Sequence, residues 1–320
     1  PSTDLGAVGF QLALTSGVAD RAGNALVPFV RDFAPLSVPT VLVGELFDDA
    51  TSRPLATGTA TLLASGGAPT PAPWPRATVT SSGLFSLPAV DGEALVRLSS
   101  PGYLDVWRRV AVLAAAGTAP SETLFAARLT PVAAPATAAP ADGGTLFTAP
   151  GRDGVGVPPA AGGPATPALA LFAPSGSLPP DVVVTLTERS AQGLPVLPPL
   201  GWSVAAAAHV RVVDAAGAPV TPATTSTLRL PDRYGATAAT PLTLARLDAA
   251  GLAWIAEGTA ILRAGWLEAP VDGAGDWAVF VPDPAPTAPP AVSPGAALEG
   301  TTLPPVDPLE SAEVVAAPAD

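Results

Sequence analysis

The chain has 320 residues, a net charge of -12, 41 prolines, 31 glycines and no cysteine. All 15 basic residues are arginine, with no cluster beyond Arg108-Arg109, so nothing neutralises a run of phosphates; nucleic acid and anionic lipid are disfavoured as partners. No apolar run approaches the ~18 residues of a spanning helix, so no membrane insertion is expected, and without disulfides the fold must rest on core burial.

The sequence opens on Pro1 and lacks methionine, which suggests a piece of a longer protein; the exclusive use of arginine points to a GC-rich genome. Val-rich alternating runs between frequent Pro and Gly turns predict an all-β chain. Only Ala111–Ala119 and Ala205–Ala208 tempt a helical reading. The first is broken by Gly117 and Pro120, and the second runs into alternating His209-Val210-Arg211-Val212-Val213.

In chain order, Val8–Leu14 and Phe29–Phe33 read as two strands around a turn rich in Asp20, Gly23 and Asn24. Val41–Leu46, Thr57–Leu63, Leu95–Ser99 and Val106–Val112 are strands. Asp48–Leu55 and Pro101-Gly102-Tyr103 are turns, Thr78–Leu87 is expected as a tight hairpin centred on Ser82-Gly83, and Ser65–Arg76, with four prolines, as a loop insertion.

Residues 131–142 are a Pro/Ala/Thr linker that, extended as polyproline, reaches about 37 Å unless it lies on a domain. Residues 143–283 form a further β unit, with strands expected around Leu169–Ala173, Val182–Glu188, Val210–Val213, Leu242–Leu247, Ala253–Ile255 and Gly275–Phe280. Residues 284–320 are Pro/Ala-rich and acidic. They are expected to bury little and to act as linker or tail, with a short strand conceivable at Ala312–Ala316.

Three resemblances follow from these phrases. Gly17–Leu26, with a strand on each side, resembles the last two strands of a bacterial Ig-like surface module, the other reading being an ordinary turn with an Asx cap. Residues 38–130 resemble the carboxypeptidase regulatory-like domain, a transthyretin-type Greek-key sandwich. The match lies in Val43-Gly44-Glu45-Leu46-Phe47-Asp48, Pro54-Leu55-Ala56, Thr80-Ser81-Ser82-Gly83-Leu84-Phe85 and Ser100-Pro101-Gly102-Tyr103; the Pro-rich insertion is a departure. That resemblance implies a non-catalytic accessory without zinc. Residues 143–283 resemble a bacterial ZU-five-like domain continuing into a companion sandwich, through Gly143-Gly144-Thr145, Pro174-Ser175-Gly176-Ser177-Leu178, Leu244-Ala245-Arg246-Leu247-Asp248 and Gly275-Asp276-Trp277-Ala278-Val279-Phe280. Animal relatives of that class carry a self-cleaving His-Phe-Ser site; this chain has no such triplet, so self-cleavage is not carried over.

Residues suited to chemistry are sparse. His209 is the only histidine and is expected on a strand surface with Arg211, opposite Val210 and Val212. With no cysteine, zinc has no ligand set. Calcium would choose Asp48-Asp49 first and Asp20 with Asn24 second, although turn capping accounts for both. Glu188, Glu257, Glu268, Asp272 and Asp276 could supply a glycosidase pair, as in any β protein. The glycines between 151 and 163 lack the lysine and the strand–helix setting of a phosphate loop. Of the six tryptophans, Trp254 and Trp277 belong in the core. Trp74, between Pro73 and Pro75, is the candidate surface contact.

The sequence therefore predicts tandem β-sandwiches without cofactor or catalytic site. The expected role is a spacer and binding or adhesion platform in a large secreted or cell-surface bacterial protein. Its partners would be a protein or glycan ligand and neighbouring domains of the same chain. The alternative is an accessory or carbohydrate-binding segment of a secreted enzyme whose catalytic domain lies elsewhere.

Overall fold

A computed structural model describes residues 10–14, 29–33, 40–112, 121–149, 169–284 and 289–301. The turn at Gly17–Leu26 with Asp20 and Asn24, the glycines between 151 and 163, most of the Ala111–Ala119 run and the strand considered at Ala312–Ala316 lie outside the described residues. All regular elements are strands: β1 (Phe10–Leu14), β2 (Phe29–Phe33), β3 (Thr40–Asp48), β4 (Thr59–Ser65), β5 (Ala68–Pro69), β6 (Arg76–Thr78), β7 (Leu84–Pro88), β8 (Gly92–Ser99), β9 (Val106–Val112) and β10 (Ser121–Leu129), followed by β11 (Thr137–Ala141), β12 (Gly144–Ala149), β13 (Leu169–Pro174), β14 (Val183–Arg189), β15 (Trp202–Val213), β16 (Ser226–Pro231), β17 (Thr243–Asp248), β18 (Ala253–Thr259), β19 (Ile261–Arg263), β20 (Trp266–Val271) and β21 (Gly275–Pro282). The fold is all-β, built of antiparallel sandwiches. Chain contacts divide it into two compact units. The first holds Pro1–Phe47, Pro54–Pro101 and Arg108–Ala127; the second holds Asp48–Arg53, Gly102–Trp107 and Arg128–Asp320.

In the first unit β1 and β2 pair as a hairpin, and the sheets β10-β3-β7 and β5-β4-β8-β9 form a sandwich, with β6 also paired to β4. The period of two in β3 and β8 puts Leu42, Leu46, Ala94, Val96 and Leu98 inside. Within the β10-β3-β7 sheet Gly44 leaves room for its cross-strand partner: an added Cβ would strike the ring of Phe85, which packs edge-on against Phe125 at 5.5 Å.

Two expectations fail here. Thr78–Leu87 is not a hairpin, because β6 pairs with β4 while β7 pairs with β3. The turn is real, with Gly83 at φ 85° and its N–H donating to Thr80 O, but it passes the chain from one sheet to the other. Nor is Ser65–Arg76 a free loop. Gly66 and Gly67, both at positive φ, turn the chain back so that β5 pairs with the end of β4. After a short bulge β6 pairs with the start of β4. The insertion is an edge strand interrupted by prolines.

In the second unit the six-stranded sheet β11-β12-β13-β16-β20-β19 faces the five-stranded sheet β14-β15-β21-β17-β18. Leu171, Leu228 and Leu267 meet Leu186, Val210, Val212, Trp277 and Val279 between them. The five-stranded sheet is also covered on its other face, where Trp202, Ala207, Trp254, Ala278 and Phe280 pack beneath Leu194 and Leu298. This accounts for Ala205–Ala208 as strand rather than helix. All four alanines are buried, and a bulge between Val204 and Ala206 changes which parity faces which core.

The stretch 131–142 is no spacer. Ala133 N donates to Thr187 Oγ1, Ala136 N donates to Val184 O, and residues 137–141 become edge strand β11. The tail 284–320 likewise does not stay clear of the core: Leu298 is buried and its N–H donates to Trp254 O, while Ala256 N donates to Ala296 O.

Gly44→Ala should lower the first unit's stability by about 1–3 kcal/mol through overpacking against Phe85. Urea denaturation reads this as a fall in midpoint with the slope retained.

Candidate functional site

Trp74 sits in the bulge between β5 and β6, in the exposed run Pro71–Trp74, and is itself 42 % exposed. The bulge is fastened on both sides. Thr70 N and Oγ1 donate to Leu63 O and Leu62 O, and Leu62 N donates to Pro75 O. Three prolines at 71, 73 and 75 limit its backbone freedom. The indole is thus an aromatic surface on a support that loses little entropy on binding. No other tryptophan among the described residues is classed as exposed; Trp202, Trp254 and Trp277 are buried as core, and Trp107 and Trp266 are half-buried.

Asp48 and Asp49 diverge in role. Asp48 caps its own turn, accepting from Ala50 N at 2.6 Å and Thr51 N at 2.8 Å, and accepts the Tyr103 hydroxyl at 2.7 Å. Burial acts to raise the Asp48 carboxyl, but Tyr103 and the turn amides outweigh it and hold it below 3.8. Asp49 is buried and accepts from Ser190 Oγ at 2.6 Å and Thr130 Oγ1 at 3.0 Å. Gly193 leaves it room, since a Cβ there would meet the Asp49 carboxylate and Thr130 Oγ1. Both carboxylates are therefore turn and loop fasteners. Among the described residues no three His, Asp or Glu side chains gather as a metal-binding group.

His209 keeps the predicted parity, with Val210 and Val212 in the core, but it is half-buried rather than a plain surface residue. Cross-strand register aligns Thr187, His209 and Asp276 on β14, β15 and β21. Asp276 Oδ1 lies 2.7 Å from Arg189 Nε and 3.2 Å from His209 Nδ1. The N–H directions fall short of hydrogen-bond angles, so Arg189 and Asp276 are held as an ion pair with the His209 ring beside it. The Arg189 side chain is 2 % exposed and donates to Gly193 O at 2.7 Å. Burial opposes its charge and lowers its pKa, with Asp276, Asp49 and Asp105 acting against that. Burial would raise the Asp276 carboxyl; His209 and Arg189 overcome it and hold it below 3.8. Sequence reasoning missed Arg189 and Ser190, and it read Asp49 as a turn cap or calcium ligand rather than as the buried acceptor of Ser190 Oγ. The signal present was parity: Arg189 and Thr187 alternate with the core residues Leu186 and Val184 on β14.

The remaining candidate acids are also spoken for. Glu188 pairs with Arg233 at 3.0 Å, and Glu268 pairs with Arg229 at 2.9 Å and Arg263 at 3.6 Å. Glu257 and Asp272 share Arg246 at 3.5 and 3.3 Å, whose guanidinium also lies 5.5 Å from the Trp277 ring centre. A groove of about 730 Å³ is lined by Thr145, Phe147, Ser175, Ser177, Leu178 and Asp181 among others. Asp181 is its one ionisable residue, so it offers no acid–base pair.

Two measurements test these assignments. A folded carboxyl held below the unfolded value of 3.8 gives stability that is complete above that pH and lost as pH falls through the lower folded value. Asp276→Asn should therefore cost about 3–5 kcal/mol at neutral pH, because buried Arg189 loses its counter-ion. It should also flatten the acid limb of a urea-midpoint series. Burial and the adjacent Asp48 carboxylate push the Tyr103 phenol up to about 12. Asp48→Asn should bring it back toward 10.0 in a spectrophotometric titration.

No family model matches this chain, and no curated protein does. Among solved structures, a Bacteroides fragilis protein of unknown function, described as membrane-associated, aligns with 76 % of this chain and 97 % of its own at 10 % identity. Its TM-score of 0.22 carries no argument about fold or role. Among the described residues no helix is long and apolar enough to cross a membrane, which leaves strand-built crossings unaddressed.

Proposed function

We propose that this chain is a non-catalytic structural and adhesion segment of a large secreted or cell-surface bacterial protein, acting as spacer and binding platform. The observation that carries it is Trp74, an exposed indole on a bulge stitched to β4 at both ends. Polar groups elsewhere support the same reading, since the candidate acids are engaged in ion pairs and turn caps. The resemblances at 1–35, 38–130 and 143–283 fit a string of extracellular β modules, and the ligand would be a glycan or a protein surface. A flat indole on a firm loop suits a sugar ring, which favours the second reading of a carbohydrate-binding accessory to a secreted enzyme.

Glycan-array and bacterial-surface binding of the chain should weaken about tenfold or more in Trp74→Ala, with an unchanged thermal midpoint. Binding that persists at full strength in Trp74→Ala removes the platform assignment.

A further inference from the structure

The edges of the sheets are treated unequally. The outer side of β14 is occupied by Ala133–Ala136, and that of β18 by Gly295–Leu298. Strand β11 carries Pro140, β7 ends in Pro88, β19 has three residues, and β5 and β6 are separated by prolines. Strand β9 carries Arg108 and Arg109 and donates Trp107 N to Pro195 O. These are the ways in which proteins keep sheet edges from pairing.

Strand β10 is neither short nor interrupted by proline, and its two charges, Glu122 and Arg128, are of opposite sign. It is nine residues long, contains neither Pro nor Gly, and lies at the end of the order β10-β3-β7; among the described residues no strand pairs with its other side. Its backbone parity is fixed at its C-terminal end. Asp49 N, just past β3, donates to Leu129 O, while Leu104 N donates to Thr130 O on the opposite side. By alternation, Glu122, Leu124 and Ala126 direct their N–H and C=O groups away from β3. Their side chains share the outer face and are exposed, and Leu124, at 73 %, is the most exposed large apolar side chain described.

We infer that β10 is a self-association edge whose occupant is a second copy of this chain, paired antiparallel about a two-fold axis at Leu124. The sequence Glu122-Thr123-Leu124-Phe125-Ala126-Ala127-Arg128 is self-complementary in that register. Leu124 meets Leu124 of the second copy, and Glu122 stands opposite Ala126 and diagonal to Arg128, within reach of long side chains. Arg128 already donates to Ser52 Oγ at 2.8 Å, which holds its guanidinium near the strand. Glu122, Leu124 and Ala126 each exchange two hydrogen bonds across such a joint, and the two leucines bury each other. The contact is isologous and closes at two copies, so it does not propagate into fibres.

Sedimentation equilibrium of the full chain from micromolar to millimolar concentration should show a reversible monomer–dimer equilibrium. Leu124→Lys, at an exposed position, should raise the dimer Kd at least about tenfold with unchanged far-UV circular dichroism. Glu122→Arg should weaken the dimer by setting like charges diagonal to one another, and the double variant Glu122→Arg with Arg128→Glu should restore it. Trp74→Ala should leave the dimer intact, separating this edge from the proposed ligand platform. A wild-type chain that stays monomeric throughout, or a Leu124→Lys chain that dimerises as well as wild type, overturns the inference.

Discussion

The second unit depends on the double coverage of its five-stranded sheet. A sheet buried on one face can send polar side chains to water on the other. This one places Trp254 and Phe280 on its second face, edge to face at 5.2 Å, and they need a lid. Two irregular segments supply it. Trp254 Nε1 donates to Val196 O and Trp202 Nε1 to Glu299 O, each at 2.9 Å. Each indole therefore fills the core with its ring and fastens the covering backbone with its N–H, which satisfies its one buried donor. Backbone bonds from Leu298 N to Trp254 O and from Ala256 N to Ala296 O add to those fastenings where the lid residue Leu298 enters the core.

The same sheet explains where the charges lie. Past the apolar area, the second face continues into Arg189, His209 and Asp276, which a buried surface tolerates only when neutralised. Arg189 meets Asp276 on one side and Gly193 O on the other, and Gly193 packs against the Asp49 carboxylate. The turn at Asp48–Arg53 and the loop at Ser190–Gly193 are thus parts of one polar layer of the second unit. A chain without cysteine holds its loops by buried carboxylates and hydroxyls where a small secreted domain would use disulfides.

Much of the fold was legible because a strand's two-residue period is local. β3, β8, β9 and β21 fall where alternation places them, and β15 does so over Val210–Val213. What the sequence concealed is pairing. Thr78–Leu87 reads as a hairpin because its turn chemistry is right, yet the neighbours of β6 and β7 are fixed by the sandwich and not by Gly83. Residues 289–301 read as tail because Val292 and Leu298 are few among Pro, Gly and Ala; their worth comes from the core above which they happen to lie. Trp74 was legible as exposed because its flanking prolines forbid a central strand. Asp49 was not, because its partner Ser190 lies 141 positions away.

Proline is what reconciles a composition close to that of a disordered chain with a folded one. Pro and Gly together make up 72 residues, 41 and 31, yet the described prolines cluster where a sheet needs no N–H donor: at Pro71–Pro75 beside β4, at Pro135 beside β14, in β11, and before the lid residue Val196. At an edge, a missing donor removes no ladder bond and denies one to any intruding strand. Among the described residues the linker-like composition therefore lies on the outside of the sheets, and a Pro-free edge such as β10 carries information in such a chain.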